Sequence, residues 1–212
     1  MLAVLLAVMS FAACSSDSEK KDKDLAASEN SDDPEIKIGR GKIYGDVFSN
    51  AYCGLEFNKP SDWVYSDDEQ LAALVNASME QINVPDMSKT LAELGSVYDM
   101  MAQDTVTNSN VIVMLEDLSV TNMGKMITEE EYVEALKTNL PIQTGIGYEF
   151  EGMESVSLSG MEYLKGTFSV EVESTVMNQA YYVRAVDDSV MSVVVITAVS
   201  GTDIESIEDM FI

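Results

Sequence analysis

Val190-Met191-Ser192-Val193-Val194-Val195-Ile196-Thr197-Ala198-Val199 is a run of mostly β-branched residues that is apolar at both odd and even positions. In a strand successive side chains point to opposite faces, so both faces of this one must be buried. That pattern suits a central strand covered by helices on both sides. Just upstream, Asp187, Asp188 and Ser189 form a turn too short for a parallel crossover, which takes a dozen or more residues. The preceding strand must therefore pair antiparallel. Further upstream, Phe168, Val170 and Val172 alternate with Ser169, Glu171 and Glu173, the signature of a sheet with one wet face. Period-two patterning runs from Tyr148 to Val199 and predicts four strands.

Outside this block the signals are mixed. Thr128 to Glu131 is a capping box, and Tyr132, Val133, Leu136 and Leu140 give the following helix one apolar face, with Pro141 as its expected stop. Thr202 to Glu205 is another capping box, opening a terminal helix with Ile204, Ile207 and Phe211 inward. Ser66 to Glu69 is a third, opening a helix over 67–82 with Leu71, Leu74, Val75, Met79 and Ile82 at helical spacing. Ser88 to Leu94 reads as a short helix ended by Gly95. The segment from Val97 to Leu118 reads as a hairpin turning at Thr107-Asn108-Ser109-Asn110. A helix continuing through Met101 is the rival reading, since Leu91, Leu94, Tyr98 and Met101 also fit that period. From Gly41 to Tyr65, short apolar alternations are broken by Gly, Asn and Pro, as strands and turns require. Leu55 and Phe57, two apart, belong on one side of a strand. The expected class is α+β, a large antiparallel sheet flanked by helices on both faces.

The chain has 212 residues, 46% of them hydrophobic, enough for one domain with accessory segments. It contains no His, which excludes Ser-His-Asp and Cys-His catalysis and every His-ligated metal site. Its 12 basic and 37 acidic residues give a net charge of −25, the opposite of the footprint a nucleic-acid partner needs.

The amino-terminal stretch MLAVLLAVMSFAA, residues 1–13, is uncharged and too short to span a bilayer, which takes roughly 20 residues. It matches the apolar region of a secretory signal, and Cys14 follows its small residues at once. This junction resembles the bacterial lipoprotein signal, which implies diacylglyceryl transfer to the Cys14 sulfur and cleavage before it. Two departures stand out: no Lys or Arg precedes the apolar run, and Phe11 occupies the position where Leu is usual. Residues 14–40, rich in Ser, Asp, Glu, Lys and Asn, bury too little to offset ordering entropy and are expected to be a disordered tether. A flexible chain of this length spans about 25–30 Å. Two or more acyl chains anchor stably where one does so only marginally. The expectation is a bacterial protein held at the outer face of the cell membrane, with residues 41–212 as a single domain.

The stretch Tyr52-Cys53-Gly54-Leu55-Glu56-Phe57-Asn58-Lys59-Pro60-Ser61-Asp62-Trp63 resembles the opening of PsbP-like domains, where such a strand leads through Pro-x-x-Trp toward a helix. Val156-Ser157-Leu158-Ser159-Gly160-Met161-Glu162-Tyr163, followed by long strands, is similar to a later part of the same superfamily. The resemblance covers roughly residues 43–211 and implies the PsbP-like α/β/α sandwich. Secreted lipoproteins of gut Firmicutes carry such domains. The superfamily also includes photosystem-associated and Ran-binding members, whose partner-binding residues find no match here, so neither function transfers.

Few residues offer chemistry. Cys53 is the one thiol left once Cys14 is acylated, so it has no intrachain disulfide partner, and it reads as a small residue in a strand. Trp63 fits either a core aromatic or a platform for stacking a ligand. Met100 and Met101, with Met114 and Met177, fit either core gap-filling or a groove for an adaptable partner. Glu129, Glu130 and Glu131 lack the Gly-punctuated spacing of a Ca²⁺ loop and suit the positive end of a helix. Gly124-Lys125 lacks the spacing of a phosphate loop. No catalytic, metal or cofactor residues are assigned. The expected function is a non-enzymatic, lipid-anchored module that binds an envelope protein or ligand. A small-ligand or cation-binding accessory lipoprotein is the first alternative, and a carboxylate-only hydrolase the second.

Overall fold

The computed structural model describes residues 39–71, 95–121, 125–172, 175–199 and 201–212. The proposed signal, Cys14, nearly all of the tether, the helix expected beyond residue 71 and that expected over 88–94 lie outside them. The described chain is mostly antiparallel sheet with few helices. Strands β1 (Lys42–Tyr44), β2 (Val47–Asn50) and β3 (Leu55–Asn58) form a three-stranded meander. Strands β4 (Trp63–Tyr65), β5 (Ser96–Asp104), β6 (Asn110–Asp117), β7 (Tyr148–Leu158), β8 (Met161–Val172), β9 (Thr175–Ala185) and β10 (Val190–Val199) form a seven-stranded sheet in the order β4-β5-β6-β10-β9-β8-β7. Helices α1 (Leu118–Thr121), α2 (Glu129–Thr144) and α3 (Ile204–Glu208) follow among the described residues, and residues 68–71 are helical too.

Val190–Val199 takes the central position in this sheet, paired antiparallel with β6 and β9, and every residue of it is buried. Its side chains divide by parity. Val190, Val194, Ile196 and Ala198 join Phe48, Leu55, Phe57, Trp63, Ile204, Ile207 and Phe211 in one cluster. Met191, Val193 and Val195 join Tyr132, Val133, Leu136 and Leu140 of α2, with Phe168 and Tyr181, in another. Helical cover was expected on both faces. The second cluster does use α2, whereas the first is built largely from the small sheet, and the five-residue α3 adds Ile204 and Ile207. Within the strand the polar side chains are satisfied: Ser192 Oγ lies 3.1 Å from the Tyr163 hydroxyl, and Thr197 Oγ1 accepts from Gln179 Nε2 at 3.0 Å.

The hairpin reading holds over the helical one: β5 and β6 pair antiparallel around residues 105–109, and Asn108 adopts φ 65 in the turn. Leu55 and Phe57 are both fully buried, on one side of β3. The Thr128–Glu131 capping box forms as expected. Pro141, however, does not stop α2. Proline lacks an N–H and its ring crowds the preceding turn, but its carbonyl still accepts the N–H of Gly145, which ends the helix at φ 67. Two caps fall one residue later than expected. Asp67 and Gln70 exchange bonds of 2.9 and 2.8 Å, and Asp203 accepts from the Ser206 N–H at 2.7 Å. In each case an Asp adjoins the expected Ser or Thr, and its carboxylate is the stronger acceptor for a helix's free N–H groups. Cys53 lies in the turn between β2 and β3 rather than in a strand.

The approach of α2 to the sheet is close at one point. A Cβ on Gly166 of β8 would come within 2.7 Å of Val133 Cγ1, so glycine there sets the helix-to-sheet distance.

If two-sided burial of β10 organises the fold, Ile196→Ala should cost about 2–5 kcal/mol in urea unfolding. Val176→Ala, at a position 53% exposed, should stay within about 0.5 kcal/mol. Equal costs would count against β10 as the organising strand.

Candidate functional site

An open cleft of about 450 Å³ lies between β7–β9 and the start of α3. The register explains its lining. Lys165 and Thr167 on β8 share parity with Tyr163, on the face that α3 covers only in part. Glu154 stands opposite Lys165, Gly152 opposite Thr167, and Asn178 on β9 extends the same face. Thr202, Asp203, Ile204 and Glu205 form the opposite wall, and Glu151 and Met153 complete the rim.

Lys165 is the one cation lining the cleft among the described residues and is 5% exposed. Its Nζ lies 2.8 Å from Glu208 Oε1 and 3.5 Å from Glu154 Oε1, and 5.9 Å from the centre of the Tyr182 ring. The Tyr182 hydroxyl donates to the same Glu208 oxygen. Burial alone disfavours the ammonium. The hydrogen bond and charge of Glu208, with Glu154 and Glu205 behind it, outweigh that and raise the Lys165 pKa. Lys165 is thus held protonated and tied down, which suits a structural cation and opposes a nucleophile or general base, roles that need a lowered pKa. Tyr182 is likewise held protonated, first by burial and then by Glu208.

A smaller recess of about 220 Å³ lies between the small sheet and β5, lined in part by Arg40, Ile43, Leu71, Asp99 and Met100. Asp99 accepts the Gly41 N–H at 2.8 and 3.1 Å and Asn50 Nδ2 at 2.5 Å, with Arg40 Nε 3.7 Å away. Burial raises its pKa despite these donors. Its role is to fasten the start of the domain to β5.

The structure puts the residues singled out from sequence mostly in the core. Trp63 is 4% exposed, with its ring 6.2 Å from Phe57. Met100 and Met101, neighbours on β5, enter opposite clusters and are 1% and 7% exposed, so these three offer little surface to a partner. Met114 and Met177 are buried too. Burial pushes the Cys53 thiol up to about 11, which suppresses its thiolate. Glu131 completes the α2 cap and Glu129 Oε1 accepts the Ala185 N–H at 3.0 Å. Asp187 holds its turn by accepting from Ser189 and Val190, and it accepts the Tyr52 hydroxyl at 2.6 Å. Among the described residues, no group of three or more Asp, Glu, Cys or His is placed to hold a metal ion, and no helix is long and apolar enough to cross a membrane. Sequence reading missed Lys165. Its parity is that of Ser169 and Glu171, the face that reads as wet, and its burial follows only from the cover that Glu208 of α3 brings to it.

No protein-family model matches the chain, and no curated protein does. Among solved structures it is similar to the solution structure of cyanobacterial PsbP (CyanoP) from Synechocystis sp. PCC 6803. The identity is 16% and the TM-score 0.45, over 86% of this chain and 97% of that one.

Glu208→Gln should destabilise the fold by about 1–3 kcal/mol in urea unfolding, because it leaves the buried Lys165 with its weaker partner. Lys165→Met should cost less, since the stem is retained and no buried cation is stranded; equal costs would contradict this reading of the pair. Asp187 provides a pH test. Its pKa is lowered, chiefly by the Tyr52 hydrogen bond. Its contribution is therefore fully present above the unfolded value of about 4 and is lost as pH falls through the lower folded value. Carboxyl-detected NMR titration should show this low midpoint, and Tyr52→Phe should move it upward.

Proposed function

We propose that the chain is a lipid-anchored extracytoplasmic module with a binding rather than a catalytic role, displayed at the outer face of a bacterial cell membrane. The observation that carries this reading is the junction of the uncharged apolar run, residues 1–13, with Cys14. The thioether of such an anchor needs a sulfur nucleophile, and residues 15–33 supply the polar chain that would hold a domain clear of lipid headgroups. Residues 41–212 are assigned to the PsbP-like α/β/α sandwich on the pattern from Tyr52 to Trp63, with the clusters on either side of β10 as the two interlayer cores.

The non-catalytic role draws support from the state of the reactive groups. The chain has no His, Lys165 is held as an ammonium, and the Cys53 thiol is buried with a raised pKa. The partner is an envelope protein or ligand met outside the cytoplasm, and a net charge of −25 turns the module away from polyanions.

Replacement of Cys14 by Ala should move the protein from the membrane fraction to the soluble fraction of a producing bacterium and abolish incorporation of labelled palmitate. If the variant still sediments with membranes as the parent does, the anchor reading fails.

A further inference from the structure

β7 is the outer strand of the seven-stranded sheet, and among the described residues it pairs with β8 alone. One row of its backbone N–H and C=O groups therefore faces away from the sheet. The strand runs for 11 residues and most of its side chains are exposed or half-buried. Its register shifts between Phe150 and Gly152. On either side of the shift Glu149 and Glu154 come to the cleft face, opposite Ser169 and Lys165. A Cβ on Gly152 would meet nothing within 4 Å, so the space above the bulge is open. The cleft of about 450 Å³ adjoins this same edge.

The charges on the cleft side of the edge are mostly acidic. Glu149, Glu151 and Glu154 lie on β7, with Asp203 and Glu205 across the cleft. Two cations lie near: Lys165 is already engaged by Glu154 and Glu208, and Lys137 of α2 pairs with Glu134 and lies 4.8 Å from the centre of the Phe150 ring, on the face away from the cleft.

We propose that the β7 edge accepts an extended, basic peptide segment of a partner protein as an eighth strand, with alternate Lys or Arg side chains turned toward the cleft. The backbone ladder supplies affinity and the carboxylates select the side chains. A second copy of this chain is the poorer occupant, because it would bring Glu149, Glu151 and Glu154 against the same residues. This inference rests on the binding-module reading above and names its partner class.

The test uses the full-length Cys14→Ala chain, titrated by calorimetry and followed by amide NMR. The probe is a capped peptide of alternating Lys and Val, about ten residues long to match a long strand. Binding should shift β7 amides and weaken about tenfold or more when salt is raised or when Glu149→Gln and Glu151→Gln are combined. N-methylation of alternate peptide nitrogens on the pairing side should abolish it, since this removes ladder donors while keeping charge. The proposal is overturned by any of three results: an alternating Glu and Val peptide that binds equally well, a Lys and Val peptide that fails to bind or shifts amides elsewhere, or a dimer built through β7 in sedimentation. Because the acylation site is absent here, failure of this titration and failure of the anchoring test are read separately.

Discussion

Everything in this domain is arranged around a strand that water must not reach from either side. β10 presents valine, isoleucine, methionine and alanine to both faces of the sheet, and each face needs its own cover. α2 supplies one cover through Tyr132, Val133, Leu136 and Leu140. The meander β1–β3, Trp63 and α3 supply the other. The two covers approach the sheet differently. α2 comes down on Gly166, where no side chain intervenes, while the meander and the chain's end lock through aromatic contacts such as Phe57 with Phe211 at 5.0 Å.

The cleft is a by-product of that arrangement. α3 is only five residues long and covers the β9–β10 side of its face, leaving β7, β8 and the near end of β9 open. Where the cover ends, the inward-facing position on β8 is Lys165 instead of an aliphatic residue. Its stem packs against the sheet and its head is neutralised by Glu208, which α3 delivers. The same ion pair thus ties α3 to the sheet and forms the cleft's floor. The remaining carboxylates are left on the rim, and the polarity of the cleft follows from where the short helix stops.

Polar side chains elsewhere also fasten distant parts of the chain together. Asp99 secures the first residues of the domain to β5, and Asp187 secures the last hairpin turn while accepting from Tyr52. Arg184 donates to the Cys53 carbonyl at 2.8 Å and lies over the Tyr163 ring, which joins the small sheet's turn to the large sheet. Each of these bonds links segments far apart in the chain, so each holds a layer in place and not merely a turn.

Local pattern alone was enough for the strand order's late half, the antiparallel pairing, the Thr128 cap and the central place of Val190–Val199, because period, turn length and capping are properties of neighbouring residues. The junction at Cys14 is likewise a purely local signal. Other features could be decided only by the folded chain. Pro141 sits inside α2 because tertiary packing of Leu136 and Leu140 outweighs one missing hydrogen bond. The caps moved to Asp67 and Asp203 because overlapping local motifs compete and geometry selects one. Trp63, Met100 and Met101 went to the core, and Lys165 met Glu208 across 43 residues of chain, because side-chain environments are set by which strands become neighbours. A sequence lists the ionisable groups; only the layering of the sheet decides which of them share a cleft.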